Sequence, residues 1–260
     1  KDGSLSFENP RAFQGKGVTT WEGLIKSVRA KVKGTKVKIR LGASSGEWKA
    51  MVADEAARTT FAKNIKTVLE KNKLDGIDLD FEWAENEKEY KDYSLAILKM
   101  REVLGNKYLF SVSLHPVCYK ISKEAIEAVD FISLQCYGPS PVRFPIEKYC
   151  SDIQMVLEYG IPKEKLVAGV PFYGATKDNS KKTEAYFNFV QNGLVTSPAQ
   201  NEVIYQGDTY VFDGQDNIRI KTRYAKEQKL KGMMSWDLAT DLPLSDSRSL
   251  LKTMTEELRE

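Results

Sequence analysis

Carboxylic acids recur at every second position of one short stretch of the sequence. The stretch alternates three apolar residues with three acids: Ile77, Asp78, Leu79, Asp80, Phe81 and Glu82. Side chains on a β-strand alternate between its two faces, so a strand here would place the acids on one face, about 7 Å apart. The apolar face suits packing against helices outside a barrel. The acidic face would then line the inside and reach the top of the strand at Glu82.

The burial of this stretch decides what its acids can do. An edge strand with one solvated acidic face would show the same pattern. However, the stretch lies in mid-chain among other strand patterns, where parallel strands are normally buried on both faces. Three carboxyl groups buried on one face cannot all ionise freely, so we expect at least one to hold a proton near neutral pH. A protonated carboxylic acid at a strand end is what general-acid catalysis requires.

A metal site is the competing interpretation of these acids, since carboxylates bind magnesium and calcium. Ligands that step along a single strand do not converge on one point, so we expect no metal and no cofactor. His115 is the only histidine, which leaves no set for a histidine-based metal site or a Ser-His-Asp triad. The spacings of Cys118, Cys136 and Cys150 match no zinc or redox motif. They favour buried free thiols over one disulfide with a spare cysteine.

The charge and hydropathy of the chain exclude other partners. The net charge is +3 over 260 residues, and the basic residues are spread along the sequence, so no nucleic-acid partner is expected. No segment is long and apolar enough to predict a membrane span. No signal peptide is visible at Lys1. A mature chain from which a signal peptide has been removed would look the same.

Helical and strand-like patterns alternate from about residue 20 onward and predict a parallel sheet covered by helices. Strands are predicted over 37–41, 77–83, 108–114, 131–137, 166–172 and 232–238. Helices are predicted over 21–33, 55–71, 87–104, 122–129, 146–159, 218–230 and 247–258. An open doubly wound sheet and a closed eight-stranded barrel compete. Six strands favour the open sheet, whereas the lack of a glycine-rich phosphate loop weakens a dinucleotide-binding function.

Residues 174–215 interrupt this alternation. They are polar and contain several glycines, and we expect a short insertion with one hairpin formed by 203–205 and 209–212. No internal repeat or low-complexity stretch marks a second domain. The sequence therefore predicts a single domain over residues 1–260.

The acidic stretch resembles a known family signature. The run Asp75-x-x-Asp78-x-Asp80-x-Glu82 resembles that of family 18 glycoside hydrolases, which include chitinases, endo-β-N-acetylglucosaminidases and non-catalytic sugar-binding relatives. Later segments are similar to the sixth, seventh and eighth barrel strands of that family: Gln135-Cys136-Tyr137, Val170-Pro171-Phe172-Tyr173-Gly174 and Gly232-Met233-Met234-Ser235-Trp236-Asp237. The resemblance covers most of residues 37–240. It implies an α/β fold of the (β/α)8 TIM-barrel type, with the active site at the carboxyl ends of the strands.

The resemblance also accounts for the number of strands. If 77–83 is the fourth barrel strand, 37–41 is the third, and strands one and two are missing before residue 1. A barrel without two strands would expose two long edges and its core. We therefore expect residues preceding Lys1 in the working protein.

The resemblance implies a retaining glycosidase that cleaves β-1,4 linkages of N-acetylglucosamine, with the 2-acetamido group of the substrate as nucleophile. Glu82 would protonate the glycosidic oxygen and later activate water. Asp80 would orient the acetamido group, and Asp78 would support Asp80 and share its proton. Tyr137 would bind the acetamido oxygen.

Other residues are implied to bind substrate. Trp236 would form the floor under the reacting sugar, since an aromatic face packs well on a pyranose. Gln135, Tyr173 and Trp83 are further candidates for substrate binding, each equally compatible with core packing. Asp75 precedes the alternating acids and is expected to anchor the entry of the strand.

Departures from the family pattern leave the substrate open. The third strand usually ends in Ser-x-Gly-Gly, whereas this chain has Arg40-Leu41-Gly42-Ala43-Ser44. Gly138 replaces an acid or amide and removes one expected sugar contact. The short insertion indicates a shallow cleft, suited to short oligosaccharides or glycans.

The combination Gln135-x-Tyr137 is similar to that of endo-β-N-acetylglucosaminidases. Cleavage of the chitobiose core of N-glycans, or sugar binding without catalysis, are the alternatives to chitin hydrolysis. The expected partner is an oligo- or polysaccharide that contains N-acetylglucosamine. A monomer that is secreted, periplasmic or at the cell surface is expected.

Overall fold

The computed structural model describes residues 1–7, 17–44, 47–138, 144–178 and 182–260. Residues 179–181 of the expected insertion lie outside the described residues. The chain divides into two compact units. The first unit comprises Lys1–Ser113 and Lys120–Asp130, and the second comprises Leu114–Tyr119 and Phe131–Glu260.

Parallel strands and five helices form the first unit. In chain order its elements are α1 (Trp21–Lys31), β1 (Arg40–Ala43), α2 (Trp48–Ala53), α3 (Glu55–Asn72), β2 (Gly76–Asp80), α4 (Glu87–Leu104), β3 (Leu109–Leu114) and α5 (Lys123–Ala128). Strand β2 pairs in parallel with β1 on one side and with β3 on the other. This central position excludes an exposed edge strand for the acidic stretch.

Capping side chains set the ends of the helices in the first unit. The Asn86 side chain accepts from the backbone N–H of Glu89 at 3.0 Å, and Gly105 ends α4 with φ +59°. The Ser122 hydroxyl accepts from the N–H of Ala125 at 3.2 Å and caps α5. Helix α4 has the predicted bounds. Helix α2 was not predicted, because six residues are too few to show a helical period.

The apolar face of β2 packs under the helices. Ile77, Leu79 and Phe81 are all buried. The Phe81 ring stacks on Trp48 of α2 with centroids 5.2 Å apart, and it lies 5.4 Å from the Tyr93 ring of α4. The expected division of this stretch into a helix-facing apolar side and an opposite acidic side is confirmed.

Asp75 anchors the start of two strands. Its carboxylate accepts from the backbone N–H of Ile39 at 2.8 Å, and its own N–H donates to the Ile39 carbonyl at 2.8 Å. The Asp75 carbonyl accepts from the N–H of Leu109 at 3.0 Å. The expected structural role of this residue at the strand entry is confirmed.

The second unit combines parallel strands with an antiparallel sheet. In chain order its elements are β4 (Phe131–Leu134), α6 (Ile146–Tyr159), β5 (Leu166–Pro171), β6 (Tyr173–Thr176), β7 (Thr183–Ala185), α7 (Tyr186–Gln191), β8 (Glu202–Tyr205), β9 (Asp208–Val211), α8 (Gln215–Glu227), β10 (Gly232–Trp236) and α9 (Leu250–Arg259). Strand β5 pairs in parallel with both β4 and β10.

The insertion is more structured than expected. The predicted hairpin is confirmed as β8 and β9, but it is half of a four-stranded antiparallel sheet in the order β7-β6-β9-β8. The prediction of a single hairpin was therefore wrong. Strand β6 pairs with residues far along the chain, Ala175 with Val211, and a single sequence carries no local signal for such a pair. Strand β7 has only three residues.

A buried ion pair joins three elements of the second unit. Lys221 of α8 and Asp213 after β9 have side chains 1% and 0% exposed, with 2.6 Å between Nζ and Oδ2. The Lys221 Nζ also donates to the Phe144 carbonyl, just before α6, at 2.8 Å. Each charge has its counter-charge and a hydrogen-bond partner, which a buried pair requires.

Removing one member of this pair is expected to be costly. Lys221→Met leaves the Asp213 carboxylate buried without its cation and should lower the free energy of unfolding by roughly 3–5 kcal/mol in guanidinium titrations. Lys177→Met is the matched control, because it breaks an exposed pair with Glu202 and should cost less than about 1 kcal/mol. The double variant Lys221→Met/Asp213→Asn should recover much of the loss. Equal effects of the two single lysine substitutions would contradict the assignment.

Candidate active site

The acids of β2 differ in exposure along the strand. Asp78 and Asp80 lie within β2 and are half-buried, whereas Glu82 lies two residues beyond its end and is exposed. The expectation that all three carboxyl groups are buried was therefore wrong for Glu82. The strand ends at Asp80, so the side chain of Glu82 leaves the sheet and faces solvent.

Neighbouring strands supply the partners of Asp78. The Ser113 hydroxyl donates to Asp78 Oδ2 at 2.7 Å, and the Ser111 hydroxyl donates to Oδ1. Arg40 of β1 donates to the Ser111 oxygen and lies 3.9 Å from Asp78 Oδ1. These three partners, found among the described residues, all lie on strands that pair with β2.

These three partners were not identified in the sequence. The register pairs Asp78 with Ser111 and Asp80 with Ser113, so the two serines share the acidic face. Their signal was a polar residue at every second position of an otherwise apolar strand. Arg40 lies in the segment where this chain departs from the family pattern.

Burial raises the pKa of Asp78, while the hydrogen bonds from Ser111 and Ser113 and the charge of Arg40 oppose the shift. Burial likewise lowers the pKa of Arg40, against the charges of Asp78 and Asp130. An acid with a raised pKa retains its proton to higher pH. We expected a raised pKa for at least one acid of the stretch. The structure shows this shift at Asp78, the acid farthest from the carboxyl end of the strand.

The backbone around Glu82 is held from outside the strand. The Trp48 indole N–H donates to the Glu82 carbonyl at 3.1 Å. Lys49 bridges Glu85 and Glu89 at 2.9 and 3.0 Å, and the Glu89 carboxylate accepts from the N–H of Glu85 at 2.8 Å. Trp83 is half-buried beside it. Glu82 is therefore exposed, while its backbone carbonyl is held by Trp48 and the loop after it by Glu89.

In the second unit, Tyr137 follows β4 and packs closely on β5. A Cβ atom at Gly169 would lie 2.6 Å from the Leu134 carbonyl oxygen, 2.8 Å from Met234 Cε and 3.0 Å from Tyr137 Cε1, so the absence of a side chain at position 169 makes room for all three. The Tyr137 hydroxyl lies 3.9 Å from Met234 Sδ, and its ring meets the Tyr173 ring edge-on with centroids 6.4 Å apart. These contacts fix the Tyr137 ring.

The other implied sugar-binding residues of the second unit differ in exposure. Trp236 ends β10 and is 54% exposed, which excludes a core-packing role and leaves its ring accessible. Gln135 and Tyr173 are buried. Tyr173 packs on Phe144 as well as on Tyr137, with centroids 6.4 Å apart in each pair.

The candidate site residues are divided between the two units. The first unit holds the three acids and Trp83, with Asp78, Asp80 and Glu82 in succession on and beyond one strand. The second unit brings Tyr137 and Tyr173 into contact, and it also contains Gln135 and Trp236.

The described residues contain no group of three or more His, Cys, Asp and Glu side chains able to hold a metal ion. All three cysteines are free thiols; Cys118 and Cys136 are buried as expected, whereas Cys150 is only partly buried. Burial raises the pKa of Cys136 to about 12. In the part of the chain that is described, no helix combines the length and apolarity needed to cross a membrane.

Comparisons with known proteins agree on one family. The family model described as "Glycosyl hydrolases family 18" matches residues 1–241. "Probable chitinase 2" of Drosophila melanogaster is 23% identical over 79% of this chain and 56% of its own length. The chain therefore spans little more than half of that curated relative.

Solved structures show the same fold. A chitinase from Bacteroides thetaiotaomicron superposes with a TM-score of 0.83 at 21% identity, covering 98% of this chain and 84% of that one. A chitinase-like agglutinin from Robinia pseudoacacia superposes with a TM-score of 0.75 at 19% identity, covering 91% of this chain and 84% of that one. These likenesses confirm the predicted fold class, a TIM-barrel fold whose parallel strands are here β1–β5 and β10. The family match extends over more than nine-tenths of the sequence, and the chain belongs to glycosyl hydrolase family 18.

Proposed function

We propose that this chain is a retaining glycosidase that cleaves β-1,4 linkages of N-acetylglucosamine in chitin and chito-oligosaccharides, with Glu82 as acid and base. One observation carries the proposal: a family 18 chain presents an exposed glutamate just past the end of β2, two strand positions beyond Asp80 and a half-buried Asp78 with a raised pKa. The membership of the family supports a glycosidase that acts on chitin. The roles of individual residues are the proposal.

The reaction proceeds in two steps. In the first, Glu82 donates its proton to the glycosidic oxygen, the bond from the anomeric carbon to that oxygen breaks, and the acetamido oxygen of the substrate bonds to the anomeric carbon. In the second, the Glu82 carboxylate takes a proton from water, and the water oxygen replaces the acetamido oxygen. Two displacements at one carbon give net retention, and Glu82 regains its proton.

Asp80 and Asp78 support the acetamido group. Asp80 accepts a hydrogen bond from the acetamido nitrogen and stabilises the positive charge that develops as the ring closes. Asp78 shares a proton with Asp80, a role that the raised pKa of Asp78 favours. The hydroxyls of Ser111 and Ser113 hold the two Asp78 oxygens in place.

Residues of the second unit bind the sugar in this proposal. The Tyr137 hydroxyl donates a hydrogen bond to the acetamido oxygen, and the exposed Trp236 ring packs on the reacting sugar. Gln135, Tyr173 and, from the first unit, Trp83 contact neighbouring parts of the substrate. No metal or cofactor takes part. The proposed enzyme is monomeric and, because its substrate lies outside cells, is secreted, periplasmic or at the cell surface.

The substrate is tested by comparing two kinds of sugar. Fluorogenic chitobioside and chitotrioside should be hydrolysed faster than a high-mannose glycoprotein, with product analysis on N-acetylglucosamine oligomers of defined length. The reverse preference would replace the proposal with cleavage of the chitobiose core of N-glycans. Calorimetric binding of chito-oligosaccharides without turnover would indicate a binding protein.

The role of Glu82 is tested by Glu82→Gln, which keeps the size of the side chain but cannot donate the proton. We expect kcat to fall roughly 10²–10⁴-fold or more while the far-UV circular dichroism and Tm stay unchanged. Glu87→Gln is the matched control, because Glu87 is exposed at the start of α4 and belongs to none of the contacts described around Glu82, and it should retain activity. Wild-type turnover by the Glu82 variant would refute the assignment.

The raised pKa of Asp78 predicts a pH-dependent stability difference from Asp78→Asn. The folded wild type holds a proton at pH values where the unfolded chain has lost it, so its stability falls relative to the variant as pH rises above about 4. The slope should be at most about 1.4 kcal/mol per pH unit. Chemical denaturation between about pH 4 and pH 7 measures it. A difference that stays constant, or that moves to favour the wild type as pH rises, would contradict the shift.

A further inference from the structure

His115 is the single histidine of the chain and directly follows β3. It takes no part in the proposed chemistry, yet it is only 3% exposed. Its backbone closes a tight turn: its N–H donates to the Cys118 carbonyl at 3.2 Å, and the Cys118 N–H donates to its carbonyl at 2.7 Å. The carbonyl of the preceding residue, Leu114, accepts from the N–H of Gln135 at 2.8 Å, next to β4.

The imidazole ring is oriented by the same turn. The backbone N–H of Val117 donates to His115 Nδ1 at 3.3 Å. The ring therefore cannot rotate freely about its bond to Cβ without losing this hydrogen bond. Its far end, the Nε2 atom, is consequently fixed in direction.

That far end lies against Gly138, the residue after Tyr137. A Cβ atom at position 138 would lie 2.3 Å from His115 Nε2, and 3.2 and 3.3 Å from the two flanking ring carbons. The nearly equal distances mean that the ring meets this position end-on. His115 thus fills the volume that any side chain at position 138 would need.

The contact between His115 and Gly138 restrains the backbone that follows Tyr137. The Tyr137 ring is held by Gly169 and Tyr173. The backbone that follows it is buried at Gly138, where the His115 ring lies. A shift of about 1 Å in a group that orients a substrate can reduce the rate about 10²-fold.

We propose that His115 is a positioning residue that acts through Tyr137. The end of its imidazole replaces a side chain at position 138 and fixes the backbone of Tyr137 and Gly138, so that the Tyr137 hydroxyl is held for the acetamido oxygen of the sugar. This inference rests on the proposed function of Tyr137. The contact between His115 and Gly138 is independent of that function.

Two substitutions separate positioning from a role in stabilising the turn. In His115→Asn the side chain keeps an acceptor near the Nδ1 position but is too short to reach Gly138. In His115→Gln it reaches about as far as Nε2 but offers no acceptor to Val117. If His115 positions Tyr137, His115→Asn should lower kcat at least about 10-fold with little change in KM. The same hypothesis predicts that His115→Gln retains most of the wild-type kcat, even if its Tm is lower.

A role limited to the turn predicts the opposite order, with Asn close to the wild type. That order, or equal kcat in both variants, would overturn the proposal. If the wild type binds chitotriose without cleaving it, the Kd of chitotriose replaces kcat in the same comparison, and the same order is expected.

The contact itself is tested without sugar. Gly138→Ala should lower Tm by roughly 3–10 °C, because its Cβ collides with the ring. In a His115→Ala background the same substitution should cost little, since the space is then empty. Gly42→Ala is the control, because no atom lies within 4 Å of the Cβ position there.

The two arms distinguish the two proposals. An equal cost of Gly138→Ala in both backgrounds would overturn the inference, whatever the activity. Coupling between the two sites in a protein that neither binds nor cleaves chito-oligosaccharides would overturn the proposed function and, with it, the role of His115 in positioning Tyr137.

Discussion

The partial burial of one carboxyl group, that of Asp78, determines the polar contacts among three strands of the first unit. Asp78 lies in a central strand, where an acid without partners would be costly. The strands on both sides meet this cost: β3 places Ser111 and Ser113 on its acidic face, and β1 supplies Arg40. The partners are fixed only while the register of the three strands is kept. The same strand carries Asp80 and then Glu82, the acid proposed for catalysis, toward the carboxyl end of the sheet.

The second unit relies on close approach rather than on charge. The Tyr137 ring lies against the backbone at Gly169, and the backbone after Tyr137 lies against the His115 ring at Gly138. Both contacts exist because a Cβ atom is absent. The neighbouring Tyr173 is in turn packed on Phe144, whose carbonyl is held by the buried Lys221. Interiors packed in this way resist small displacements, so the Tyr137 ring is held in one position.

The sequence predicted most elements because their signals were local. Gly105 marks the end of the helical pattern of α4, and the alternation of β2 identified both of its faces. The features that the sequence did not predict have physical explanations. Strand β6 depends on partners distant in sequence, and the polar partners of Asp78 become visible only when the register is known. Glu82 was expected to be buried because the alternation continues to residue 82, but hydrogen-bonded pairing ends at Asp80, and composition does not mark that point.

The hydrogen bond from Trp48 to the Glu82 carbonyl links the acid to a helix of only six residues. Short helices have little stability of their own and depend on the side chains that anchor them. Here the anchor is the stack of Trp48 on Phe81, the residue that immediately precedes the acid. Local opening of α2 would therefore release the loop that carries Glu82 while the parallel strands remain paired. The durability of this site is set by its weakest neighbouring helix and can be lower than that of the fold as a whole.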